Sequence, residues 1–206
     1  MMTGREIAHR RLHNQHLAGT PLETPAAVVR RLGAVQAQDY AAAKWAVAQR
    51  TADVSDAALD QAFAAGAILR THVMRPTWHF VTPEDIRWLL ALTAPRVKAA
   101  IAYYDRRLGL DDHLVGRSNA ALGEALAGGA PLTRPELAAA LTHAGITTEG
   151  ADGQRVGQLI MHAELDGILC SGARRGKQFT YALLADRASH PRILERDEAL
   201  AELAGR

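Results

Sequence analysis

The chain has 206 residues, 48% hydrophobic and 22% charged, a composition that excludes a disordered, collagenous or low-complexity polypeptide and fits one or two globular, water-soluble domains. Net charge is +2 and the isoelectric point is near 8.9, so the overall balance permits nucleic-acid binding without arguing for it, and any such case rests on where cations cluster. The single Cys170 excludes an internal disulfide framework and a cysteine zinc site, no apolar run is long enough to span a bilayer, and the amino terminus lacks a signal-peptide core, so a reducing, cytoplasmic setting is expected.

Aromatic residues are only 5% and alanine is abundant, which favours helices over sheet. Arg5 to Leu17 reads as a first helix, with His9, His13 and His16 on one face. That spacing could hold a metal, but no cysteine or acidic partner stands nearby. Together with Arg10 and Arg11 the histidines read as a basic patch, and no metal or cofactor is expected. Thr24-Pro25 starts a second helix carrying Val28, Val29, Leu32 and Val35 on one side. Ala43 to Arg50 reads as a short helical stretch around Trp45, and Ser55 caps a helix to about Ala64. Ala67 to Val73 then reads as a strand, Met74-Arg75-Pro76 as a turn and Thr77 to Val81 as the returning strand. Trp78 and Phe80 are expected in the core on one side, with Trp45 and Trp88 as packing residues. Thr82-Pro83-Glu84-Asp85 caps a long helix to about Arg107. Leu108 to Arg117, rich in Gly and Asp, reads as a linker, and Ser118 to Leu126 as a short helix.

The stretch from Thr133 to Leu184 is the most telling. Thr133-Arg134-Pro135-Glu136 has the form of a capping box opening a helix, which Gly145 ends. A second helix runs from about Gly153 to Asp166, buried through Val156, Leu159, Ile160 and Ala163. Arg155, Gln158 and His162 fall on another of its faces, at i, i+3 and i+7. Ile168 to Cys170 and Phe179 to Leu183 read as two strands around a basic turn bearing Arg174, Arg175 and Lys177. Helix, helix, strand, basic turn, strand is the order of a winged helix-turn-helix, which presents a helix and a wing to a duplex. Arg155, Gln158 and His162 are therefore candidates for a DNA-facing helix, and Arg174, Arg175 and Lys177 for phosphate contacts from the wing. Each set also reads as ordinary exposed polar surface. The first hairpin repeats the architecture without repeating the sequence, and His72, Arg75 and His79 around it are candidate contacts to the DNA strand, or else cross-strand packing and surface charge.

The expected fold is mainly α with short β-hairpins, an α+β arrangement of tandem winged helix-turn-helix units. Residues 1–110 form the first unit with a long connecting helix, 111–187 the second, and 188–206 the start of a third. Arg192 to Arg206 reads as the opening of a helix with nothing to pack against, so the natural chain is expected to continue.

Leu32-Gly33-Ala34-Val35-Gln36-Ala37-Gln38-Asp39 resembles the AlkZ-like, azinomycin-resistance type of winged-helix DNA glycosylase family. Arg70 to Val81 and Thr82 to Leu90 strengthen the likeness, which covers essentially the whole chain. Family members carry three winged units, so one is missing here. The resemblance implies a monofunctional glycosylase that removes bulky N7-alkylated or crosslinked purines from double-stranded DNA, with Gln36 and Gln38 matching the family's Gln-x-Gln catalytic signature. An N7-alkylated purine is already a cation, so its glycosidic bond breaks without a strong general acid. Neutral amides can then stabilise an oxocarbenium-like sugar and hold a water. Residues two apart share a side only on extended chain, so if both glutamines act together the helix from Pro25 must end near Val35. Asp39 is either an amide-orienting acceptor or a solvated charge. Two other readings stay open: a winged-helix transcriptional regulator without catalytic activity, and a module that binds protein. A monomer is expected, away from any membrane.

Overall fold

The computed structural model describes residues 2–148 and 153–206. Helix α1 (Gly4–Asn14) is closed at its start by a Thr3–Glu6 capping box and buries none of its residues. The chain then runs through α2 (Pro25–Leu32), β1 (Val35–Gln36), α3 (Tyr40–Ala48), α4 (Asp56–Ala65), β2 (Leu69–His72) and β3 (Trp78–Val81). The long α5 (Ile86–Leu108) follows. After it the order repeats: α6 (Asp112–Leu126), β4 (Leu132–Thr133), α7 (Arg134–His143), α8 (Gln154–Leu165), β5 (Leu169–Ser171) and β6 (Thr180–Leu183). A short α9 (Leu184–Arg187) and α10 (Arg196–Gly205) complete it. From α2 and from α6 onward, each half is helix, strand, helix, helix, strand, strand. Both sheets are antiparallel with the last strand in the middle, β1-β3-β2 and β4-β6-β5.

Polar side chains mark the helix starts that sequence points to. Thr24 accepts from Ala27 N–H at 3.1 Å and Ser55 from Ala58 N–H at 3.1 Å, and Thr133 with Glu136 forms the expected box. Two boundaries differ from expectation. Residues 112–117 are helical, because Asp111 caps α6 by accepting from Leu114 N–H at 2.7 Å, so the linker shrinks to residues 109–111. The carboxyl-terminal helix α10 has a partner after all. It lies on α5, with Ala199 buried and Arg206 paired with the fully buried Asp85 at 2.6 Å.

The two halves share a core. Leu165, Cys170 and Leu184 of the second pack with Leu69, Val81, Ile86 and Leu89 of the first. Strands β2 and β5, each at the edge of its sheet, lie against one another, and there the Arg70 N–H donates to Ser171 Oγ at 2.8 Å. Trp88 is buried as expected, whereas Trp45 stands 67% exposed on the outer face of α3, because Ala43, Lys44 and Val47 are the residues that α3 buries. No helix among the described residues is long and apolar enough to cross a membrane.

Candidate active site and nucleic-acid interface

The glutamine segment is extended for a local reason. Gly33 stops α2 with φ +74°, a conformation that side chains other than glycine's resist, and the chain leaves as a strand instead of continuing the helix. Val35 and Gln36 pair with Phe80 and His79, and the Ala37 N–H donates to the Trp78 carbonyl at 2.7 Å. Ala37 is fully buried, while Gln36 and Gln38 on either side of it are exposed, so both amides project to the same face of an edge strand. The Gln36 Oε1 accepts from the Arg75 guanidinium at 3.0 Å, and the Gln38 Oε1 from the Trp78 N–H at 3.4 Å. Asp39 has neither role considered for it. It is the N-cap of α3, accepting from Ala42 N–H at 3.0 Å, and so starts a helix directly after the glutamines.

The hairpin candidates separate. Arg75 sits exposed at the turn, next to Met74 with φ +64°, a strained position for a residue with a side chain. His79 lies opposite Gln36 in the sheet but is 4% exposed, and its Nδ1 donates to the Thr77 carbonyl at 2.8 Å. Burial pushes its pKa below the ordinary histidine value, which keeps the ring neutral. His72 is withdrawn from any surface. It points to the other face of the sheet, stacks on Trp78 with ring centroids 4.4 Å apart, and bonds through Nδ1 to the buried Glu164 carboxylate.

The expected DNA-facing side of α8 is turned inward. Gln158 Nε2 donates to Asp105 at 2.8 Å, His162 Nε2 meets the same carboxylate at 3.0 Å, and Arg155 donates to the Leu108 carbonyl. Gln158 and His162 are buried and Arg155 half-buried. Their polar groups fasten α8 to the end of α5, so the polar stripe that suggested a duplex contact is an interhelical seam.

In the wing, three adjacent cations do three different things. Arg174 is half-buried, its guanidinium 4.9 Å from the Tyr40 ring centre and 5.0 Å from that of Phe179. Arg175 binds Glu136 at 2.7 Å and the Pro131 carbonyl at 2.8 Å; the Thr133 backbone N–H above all, then Arg175 and the Thr133 hydroxyl, hold the Glu136 carboxyl down at about 2. Lys177 is exposed and has no acidic partner among the described residues.

Arg70 is the residue that sequence reasoning missed. It is 5% exposed, 4.2 Å from the Trp78 ring centre and 4.4 Å from that of Phe179, and its Nε donates at 3.0 Å to the carbonyl of Ala37, between the two glutamines. An arginine placed directly after the apolar run Ala67-Ile68-Leu69, on a segment that reads as a strand, was the available signal, since a charge on a buried strand needs dedicated partners. Among the described residues no group of three or more His, Cys, Asp or Glu is placed to hold a metal ion.

The repeated helix and hairpin order defines a tandem winged-helix protein. Residues 29–206 match the family model described as DNA glycosylase AlkZ-like, and the chain belongs to that family. A curated relative, an interstrand DNA cross-link repair glycosylase of Streptomyces sahachiroi, is 28% identical over 202 residues, which cover 95% of this chain and 53% of the relative. The solved structure of the Streptomyces sahachiroi DNA glycosylase AlkZ shares the fold with a TM-score of 0.78 at 24% identity, over 98% of this chain and 56% of that one. The chain thus spans about half the length of the relatives it matches.

Proposed function

We propose that this protein binds double-stranded DNA through its two winged-helix units, residues 1–110 and 111–187, and hydrolyses the N-glycosidic bond of a bulky N7-alkylated or crosslinked purine at Gln36 and Gln38. The observation that carries the reading is the pair of exposed carboxamides on one side of an edge strand, with a buried alanine between them. In the reaction the C1′–N9 bond breaks and its electrons neutralise the purinium ring. Water adds to the resulting sugar cation and releases a proton to solvent, leaving an abasic site and the free base. The amide carbonyls offer lone pairs to the electron-poor sugar and to the water's hydrogens. Arg75 holds one of those carbonyls in place. The cation-bearing wing and hairpin turn supply contacts to the DNA backbone.

The same scaffold without catalysis would be a regulator that reads bases from its recognition helix. The packing of Gln158 and His162 against Asp105 removes that surface in α8 and favours the repair reading. The test is release of N7-alkylguanine and of crosslinked purine from duplex DNA. Gln36→Ala and Gln38→Ala should each abolish release while DNA binding stays within about two-fold. No release by the wild-type chain across several alkylating agents would remove the enzymatic claim.

A further inference from the structure

A cleft of about 330 Å³ opens between the first hairpin and the second wing. Its walls include Arg70, Trp78, Arg134, Lys177, Phe179 and Tyr181. Three of these are cations, and no acidic side chain among the described residues lines it. The size lies at the small end of the roughly 300–1,000 Å³ typical of ligand pockets, enough for a single nucleotide-sized group.

The polar groups of the cleft are unevenly used. Arg70 gives its Nε to Ala37 and its two faces to Trp78 and Phe179, which leaves its terminal N–H groups without a hydrogen-bond partner among the described residues. Tyr181 is 6% exposed, and its phenol likewise has no hydrogen-bond partner among the described residues. Burial lowers the Arg70 pKa and raises that of Tyr181, but an arginine stays charged and the tyrosine keeps its proton, so both present donors. Lys177 adds an exposed ammonium from the wing. Because both aromatic rings nearest Arg70 already carry its guanidinium, they do not offer a free platform for a base. The buried Glu164 carboxylate acts on both Arg70 and Tyr181 but is bonded to His72 and does not line the cleft, so on the cleft's own walls donors stand without acceptors and cations without anions, which selects an anion.

The geometry points to this cleft as a seat for one phosphodiester of the DNA strand, gripped by the Arg70 terminal N–H groups, the Tyr181 phenol and Lys177. This rests on the reading that the protein binds DNA, though not on its being a glycosylase. Arg70 and Trp78 lie on the opposite face of the first sheet from Gln36 and Gln38, separated by the edge strand β1. A strand seated here therefore rounds that edge, and the gripped phosphate lies within a few nucleotides of the base presented to the glutamines. Arg70 joins the two places directly, since the peptide carbonyl it binds is that of Ala37.

The experiment is a methylphosphonate scan. A duplex with one site-specific N7-alkylguanine is made as a series, each member carrying one neutral methylphosphonate linkage, and binding to the wild-type chain, Lys177→Ala and Tyr181→Phe is measured. These two variants leave Arg70 and its stacking in place. One linkage position should weaken wild-type binding roughly ten-fold, the scale of one hydrogen bond to a charged group. At that position both variants should lose less than two-fold, because the contact is already gone. Lys177→Ala should also reduce the slope of log affinity against log salt by about one. A scan with no position whose effect the variants remove, or no DNA binding at low salt, overturns the proposal. So does saturable binding of inorganic phosphate without any methylphosphonate coupling, which would make the cleft a free-anion site. Base release from the unmodified duplex, measured alongside, tests the glycosylase reading separately: release with no coupled phosphate rejects the cleft alone, and coupling without release rejects the enzymatic reading alone.

Discussion

His72 of β2 and Glu164 of α8 form a hydrogen-bonded pair in which the two side chains are only 2% and 1% exposed. It joins the first winged unit to the second at the centre of the shared core. The other oxygen of Glu164 is buried with no hydrogen-bond partner among the described residues, so the imidazole is the carboxylate's one identified support. Removing one member of such a pair is more damaging than removing both, because the survivor keeps its desolvation penalty without its partner. His72→Ala should lower unfolding free energy by about 3–5 kcal/mol. The double exchange His72→Leu with Glu164→Met should recover much of that loss. Urea denaturation of the three proteins checks both expectations, and a double variant no more stable than His72→Ala would contradict the account.

Arg75 and Gln36 connect the hairpin turn to the edge strand through one bond of 3.0 Å. An unpinned amide rotates freely about its last torsions, so its carbonyl is correctly aimed for a smaller fraction of the time. Arg75→Ala should slow single-turnover base release about ten-fold, on the scale of one charge-assisted hydrogen bond. It should also weaken DNA binding modestly, since an exposed cation is lost. Arg75→Lys keeps the charge but not the planar fork, and should restore binding better than it restores the rate. Rates equal to wild type in both variants would show that Gln36 needs no such anchor.

What was legible in the sequence is what local rules control. Thr24, Ser55 and Thr133 announce helix starts, whereas the extended Gln-x-Gln was legible only as a condition, that the helix from Pro25 must end near Val35 if both glutamines act together. The strands β1 and β4 escaped notice because two residues are too few to show alternation, and their partners lie 43 to 49 residues away in the chain. The polar faces misled most. Arg155, Gln158 and His162 at helical spacing look solvated until Asp105 is brought against them, and His72 looks exposed until Glu164 arrives from 92 residues downstream. Periodicity identifies a face but not what covers it.

Asp85 should give the chain an acid-sensitive joint. It is fully buried and receives bonds from Trp88 Nε1, Thr82 Oγ1, Arg192 and Arg206. The pull of Arg206 and the Trp88 and Thr82 donors outweighs burial and sets its pKa below the ordinary 3.8. The unfolded chain therefore takes up the proton first. Asp85's contribution is whole above pH 3.8 and fades as pH falls towards and through its lower folded-state value. Stability measured by urea midpoint should drop below about pH 4 more steeply in the wild type than in Asp85→Asn, which should be less stable than wild type at pH 7. Parallel curves for the two proteins would assign the acid sensitivity elsewhere.

The packing of α8 against α5 makes a prediction that separates a structural seam from a DNA-reading helix. Gln158 and His162 share the Asp105 carboxylate, at 2.8 and 3.0 Å, and are 8% and 6% exposed. A buried acceptor that loses one of two donors keeps the other, so each single loss should be moderate. Gln158→Ala and His162→Ala should each lower stability by about 1–3 kcal/mol. In the folded protein they should leave DNA affinity, and its dependence on salt, within about two-fold of wild type. Lys177→Ala should do the reverse, because an exposed wing lysine carries almost no stability but releases a counterion when it meets a phosphate. Denaturation curves and binding isotherms at several salt concentrations, taken on the same preparations, measure both halves. If Gln158→Ala or His162→Ala weakened duplex binding ten-fold with stability unchanged, α8 would have to leave α5 on binding DNA, and the inward face would be a reading surface held in reserve.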